Sequence, residues 1–167
     1  MDTELITEFE VALRHMVGEL CWSAQVSGVG SLVSLHIGAK LKRYQPMEHP
    51  DFKITEEERL YRGEYILYLE DCPWRIETAE AVITTWMDES TPGSPIETGI
   101  QQFVGQRIAQ VELARPGLDL TLRLEGDLAL QIFPDQVDAD VGDNYSLALP
   151  DRTYVVAAHS ILYLDRP

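Results

Sequence analysis

The feature that most constrains this chain is a pattern that occurs twice. Residues 17–38 read VGELCWSAQVSGVGSLVSLHIG, and residues 104–126 read VGQRIAQVELARPGLDLTLRLEG. Gly18 falls on Gly105, Trp22 on Ala109, Val26 on Leu113, and Val33, Leu35 and Ile37 on Leu120, Leu122 and Leu124. Further on, EYILYLEDCPWRIE from Glu64 mirrors NYSLALPDRTYVVA from Asn144, which sets Tyr65 on Tyr145, Leu67 on Leu147, Leu69 on Leu149, Asp71 on Asp151 and Trp74 on Tyr154. The offset falls from about 87 residues to about 80, so one deletion separates the copies, and a loop tolerates it.

Each copy opens on a helix. Asp2 or Thr3 caps the first, whose Leu5, Ile6, Phe9, Leu13 and Met16 recur at three- and four-residue steps, and Gly18 stops it. Ser94, Pro95, Ile96 and Glu97 carry a capping-box signature with proline in the first helical position; Ile96, Ile100 and Phe103 form the apolar stripe, and Gly105 is the stop. Between the copies, Asp88–Gly93 has the composition of a linker.

Alternation then announces strands. Leu20, Trp22, Ala24 and Val26 lead through a Gly28-Val29-Gly30 reversal to Val33, Leu35 and Ile37, and a third strand is expected near Ala39–Tyr44. In the second copy Arg107–Leu113, Leu118–Leu124 and the run through Leu128, Leu130 and Ile132 play these parts. Tyr65–Leu69 with Trp74–Ile76, and Tyr145–Leu149 with Tyr154–Val156, add two strands to each copy, and Val82–Trp86 and Ile161–Leu164 a sixth.

The expected fold is therefore α+β: a tandem duplication, residues 1–90 and 91–167, of a helix followed by an antiparallel five- to six-stranded meander. A unit of roughly 80 residues with one helix on one sheet buries little surface alone. The copies should pack about a pseudo-twofold axis into one compact unit.

Charge narrows the partners. A net charge of −15 opposes binding to a nucleic-acid backbone, and Lys40, Lys42 and Arg43 form the one basic cluster. Both copies are acidic, which suits either solubility or a basic partner protein. No window approaches the roughly 18 apolar residues of a membrane span, and MDTELITEFE is acidic where a secretory signal is basic, so the expected location is the cytoplasm. Cys21 and Cys72 lack metal-ligand spacing and read as reduced, semi-buried thiols.

The candidate binding residues lie on two connections. Asp135, Asp138, Asp140 and Asp143 form an acidic run that fails the EF-hand template and reads as a loop joining two strands. The other connection, Pro46–Leu60, is enlarged relative to its counterpart and carries Glu48, His49 and Asp51 in PMEHPDF. His15, His36, His49 and His159 have no zinc spacing, and the chain has no nucleophile elbow, P-loop or dinucleotide fingerprint. No metal or cofactor is expected, and the sequence leaves the catalytic residues, if any, unknown. Trp22, Tyr65, Trp74, Trp86, Tyr145 and Tyr154 read as core, and Tyr68 as facing outward.

The run from Gly105 through Asp119, Leu120, Gly126, Ile132, Phe133 and Asp135 to Asn144 and Tyr145 resembles a strand-turn-strand pattern of small uncharacterised bacterial proteins, some of them similar to immunity proteins of toxin systems. It covers less than half of the chain, and Arg43–Gln45 lacks the equivalent of the Phe133-Pro134-Asp135 corner. The resemblance implies a non-enzymatic acidic partner for a basic toxin. The sequence thus favours a non-catalytic protein-binding, immunity-like or regulatory module, the alternative being an enzyme with a small-molecule site in the cleft between the repeats.

Overall fold

The computed structural model describes residues 2–27, 32–48 and 54–166. The Gly28-Val29-Gly30 reversal, His49 and Asp51 lie outside the described residues. Helix α1 (Thr3–Arg14) begins where the Asp2 carboxylate accepts the amides of Glu4 and Leu5, both at 3.1 Å, and it buries Ile6, Phe9, Ala12 and Leu13. Glu4 in its first turn and Arg14 in its last suit the helix dipole. Helix α3 (Pro95–Gln101) is capped by Ser94, while the Glu97 carboxylate accepts the amide of Gly93, one residue before the one a capping box uses. The capping box proper lies on helix α2 (Glu56–Leu60), between Thr55 and Glu58.

The strands are β1 (Leu20–Val26), β2 (Val33–Lys42), β3 (Tyr61–Leu69), β4 (Trp74–Glu77), β5 (Val82–Thr85), β6 (Gln106–Ala114), β7 (Asp119–Leu124), β8 (Ala129–Ile132), β9 (Tyr145–Ala148), β10 (Thr153–Val156) and β11 (Leu162–Asp165). Among the described residues they form one antiparallel sheet of eleven strands in the order β11-β10-β9-β3-β2-β1-β6-β7-β8-β4-β5. The fold is α+β, with few helices on a large sheet.

That order departs from a five- to six-stranded meander. β1–β3 and β6–β8 are sequential, but β4 and β5 lie beyond β8, and β9–β11 lie beyond β3. Leu69 ends β3 and Trp74 begins β4, a link that spans at most about 18 Å. Six strand spacings on a flat sheet would need roughly 29 Å. The sheet must therefore curl. Its inward residues share one apolar core with α1 and α3, and Phe9, Met16, Leu35, Trp74, Phe103, Leu120 and Tyr145 are all buried in it. Phe9 stacks near Tyr154, ring centroids 5.2 Å apart, and Tyr145 donates its hydroxyl to the Leu118 carbonyl at 2.8 Å.

Other expectations change as well, and Trp86, just past the end of β5, is exposed rather than core. No separate strand occupies Ala39–Tyr44: β2 continues to Lys42, passing a register shift between Ile37 and Lys40 where Gly38 takes φ +82°. Tyr65 and Tyr145 lie on adjacent hydrogen-bonded strands, β3 third after α1 and β9 fourth after α3, with Leu67 opposite Leu147. The similar spelling of the two segments follows from both strands alternating toward the same core. Trp22 leaves the core because β1 shifts register between Cys21 and Ser23, which puts Cys21 and Ala24 inward and turns Trp22 to the other face beside His36.

Candidate functional site

The face of β1, β2 and β3 turned away from the core is partly roofed. Arg43 donates from Nε to the carbonyls of Glu58 and Tyr61, at 3.2 and 3.0 Å, and the Met47 amide donates to the Arg59 carbonyl at 3.0 Å. Glu58 ties α2 to the sheet by accepting the Ser23 hydroxyl at 2.8 Å while its other oxygen accepts the Thr55 amide at 2.7 Å. From the opposite side the acidic loop is pinned to the end of β3: Asp71 donates its amide to the Asp143 carbonyl and Glu70 to that of Asn144, both at 3.0 Å.

Between these two coverings lies a cavity of about 530 Å³, in the size range of small-molecule pockets. Ser34 lies at the middle of its floor, opposite Gln25 on β1 and Tyr68 on β3. His36, Arg43 and Met47 line one end; Leu32, Glu70, Asp71, Val141 and Gly142 line the other. Val141 and Gly142 belong to the second half of the chain, so both halves build the walls.

His36 is buried and neutral. The Gly63 amide donates to its Nδ1 at 2.9 Å, which fixes the proton on Nε2. Burial, with the nearby cations Arg43 and Arg62 adding to it, pulls its pKa down to about 4. Burial likewise lowers the pKa of the Arg43 guanidinium, and among the described residues no carboxylate lies within ion-pair distance of it. At the other end, burial and then the charges of Asp143 and Asp71 raise the pKa of Glu70, which also has no cation within ion-pair distance among the described residues.

The sequence candidates divide accordingly. Asp135, Asp138 and Asp140 are exposed, Asp140 donating its amide to the Asp138 carboxylate at 2.9 Å. Asp143 is half-buried, accepts the Tyr163 hydroxyl at 3.3 Å, and belongs to the carboxylate group at the pocket end. Glu48 is exposed and follows the pocket residue Met47. The two connections thus meet at one cavity. Sequence reasoning missed its floor and one end, because His36 and Tyr68 lie on two different strands and Glu70 just past the second, with no motif joining them. The Thr55–Glu58 capping signature was readable and would have announced α2.

Chemically the pocket offers donors at one end, an aromatic ring in the middle and carboxylates at the other end. No serine, threonine or cysteine hydrogen-bonds to His36 among the described residues, and burial pushes the thiols of Cys21 and Cys72 up to about 12. Among the described residues no group of three or more His, Cys, Asp or Glu side chains is placed to hold a metal ion, and no helix is long and apolar enough to cross a membrane. No family model matches the chain, and neither a curated protein nor a solved structure matches it significantly.

Proposed function

We propose that this chain is a non-catalytic binding module, immunity-like or regulatory, that engages a basic partner protein in the bacterial cytoplasm through the roofed pocket and the acidic loop beside it. One observation carries this reading: the enlarged connection after β2 and the acidic connection after β8, far apart in sequence, border the same cavity through Met47 and through Val141 and Gly142. Asp138 and Asp140 project their carboxylates into solvent beside it, where they steer a cationic surface at low ionic strength. The test is affinity capture from the native host, followed by association rates at low and high salt. A basic partner whose on-rate falls with salt, and falls again when Asp138, Asp140 and Asp143 become asparagine, supports the reading. Capture of no basic protein, or an undiminished on-rate, overturns it.

The scaffold is a tandem duplication whose copies are related by a pseudo-twofold axis and exchange strands. Exchanging β1–β5 with β6–β10 leaves the strand order β10-β9-β3-β2-β1-β6-β7-β8-β4-β5 unchanged when it is read from the other end. The hairpins support this too, since the register shift between Cys21 and Ser23 recurs between Ile108 and Gln110, about 87 residues on.

A further inference from the structure

We infer that the pocket takes a ligand with a carboxylate at one end and a cationic group at the other, joined by an apolar stem: the last residue of a partner chain ending in lysine or arginine, or the same chemistry in a free basic amino acid. This rests on the binding-module reading above and names what the module holds. The starting point is an imbalance of charge within one cavity. Arg43 lies at one end without a carboxylate partner, and Glu70, with Asp71 and Asp143 around it, lies at the other without a cation, among the described residues. In a folded interior such groups are normally paired, since a half-buried charge without a partner costs free energy.

The donor end is built for an anion of fixed shape. The two carbonyls that accept from Arg43 Nε hold the guanidinium, and among the described residues neither Nη group has a hydrogen-bond partner, so both can donate to a carboxylate through two bonds. His36 adds an Nε2–H donor, its Nδ1 being occupied by the Gly63 amide. It stays neutral at physiological pH, so it orients an acceptor without competing for charge. A carboxylate fits this end, and an ammonium in its place does not.

The stretch between the ends carries the half-exposed ring of Tyr68, and the lining adds apolar surface from Met47 on one side and from Leu32 and Val141 on the other. Such a surface suits the methylene stem of a basic side chain. Length agrees. Leu32 and His36 mark the two ends of the floor, four strand residues apart, or about 13 Å. An extended lysine runs roughly 7–8 Å from its carboxylate carbon to Nζ, built from bonds of about 1.5 Å, which leaves one hydrogen-bond length at each end.

The experiment is calorimetric titration of the whole chain with 6-aminohexanoate, hexanoate, hexylamine, free lysine, and a short peptide ending in lysine with its terminus either free or amidated. 6-Aminohexanoate should bind at least tenfold tighter than hexanoate or hexylamine. Glu70→Gln should erase its advantage over hexanoate, and Arg43→Gln its advantage over hexylamine. A free-ended peptide that binds tighter than lysine, with the amidated peptide at least tenfold weaker, assigns the ligand to a partner's C-terminus; lysine as tight as the peptide assigns it to the free amino acid. Equal affinities for all three six-carbon probes, no binding by any of them, or an advantage untouched by Glu70→Gln, overturns the inference. Because Arg43→Gln also removes contacts to the roof, the Glu70→Gln result and the wild-type ligand series decide if that variant unfolds. Should the ligand series fail while salt-dependent capture of a basic partner persists, the ligand assignment falls and the binding-module reading stands.

Discussion

Gly18 and Gly105 hold the same backbone angle, φ +88°, on opposite sides of the seam between β1 and β6, and each donates its amide across it. Gly18 bonds to the Ile108 carbonyl at 2.7 Å, and Gly105 to the Cys21 carbonyl at 2.8 Å. A Cβ at either position meets nothing within 4 Å, so the cost of a side chain there is purely conformational. Gly18→Ala and Gly105→Ala should each lower stability by about 1–2 kcal/mol, and by similar amounts, because a left-handed backbone is strained for any residue with a Cβ. Urea unfolding of the two single variants measures this, and a difference of several-fold between them would contradict the shared geometry.

The fragment of residues 94–167 should fold poorly on its own. β8 pairs with β4 through Trp74 opposite Ile132, and β9 pairs with β3 through Leu67 opposite Leu147, so the fragment loses a sheet neighbour on both strands. Its circular-dichroism melt should lack the cooperative transition of the full chain. A transition close to that of the intact protein would show that pairing with β3 and β4 is dispensable.

The contrast between the two glycines and the two tyrosines shows what the sequence could and could not convey. Gly18 and Gly105 were legible because each follows a helix and precedes an alternating strand, a local grammar that fixes conformation whatever lies beyond it. Tyr65 and Tyr145 were matched by the same alternation, yet alternation says only which face a residue takes, not which neighbour its strand chooses. The pairing of β3 with β9 is a long-range choice between strands far apart in sequence, and no periodicity records it. The site was legible only at its margins. The loops carrying Glu48 and Asp135–Asp143 stood out by length and charge, whereas His36 carries no motif, and its burial and its bond from the Gly63 amide come from a strand neighbour 27 residues away.

Gly63 should tolerate no side chain. Its Cβ would stand 2.7 Å from both the Ile37 nitrogen and the Tyr65 carbonyl oxygen, and these are backbone atoms that cannot rotate aside. Gly63→Ala should cost about 2–3 kcal/mol through overpacking and should loosen the amide that holds His36. A drop in melting temperature, together with a shifted His36 ring resonance by NMR, would report both effects; an unchanged melt would contradict the close approach.

Cys21 and Cys72 should be silent toward thiol reagents in the native state. Burial is the chief cause of the rise of both thiols to about 12, and for Cys72 the neighbouring Asp135 adds to it, so almost no thiolate exists at about pH 8. Labelling should follow the global unfolding curve in urea. Rapid modification of either residue without denaturant would show that the core opens locally around it.

His36 should make stability depend on pH in a defined window. Its folded pKa of about 4 lies below the ordinary value of 6.5, so between these limits the unfolded chain binds a proton that the folded chain refuses. Stability is therefore full above about pH 6.5 and falls as the pH drops toward 4, by about 3 kcal/mol at most for a shift of this size. Arg43 and Arg62 repel the added charge, Lys40 lies 5.1 Å over the Trp22 ring that flanks the imidazole, and Glu58 is engaged by Ser23. Carboxylates titrate in the lower part of the same window, so the comparison is with His36→Asn, whose side-chain oxygen can still accept the Gly63 amide but binds no proton. The variant should begin less stable at pH 7, having lost ring contacts with Trp22, and the gap should narrow steadily as the pH falls from 6.5 to 4. Urea unfolding of both proteins across that range measures it; parallel stability curves would mean that the imidazole accepts its proton in the folded state and that the pocket floor is wetter than its burial implies.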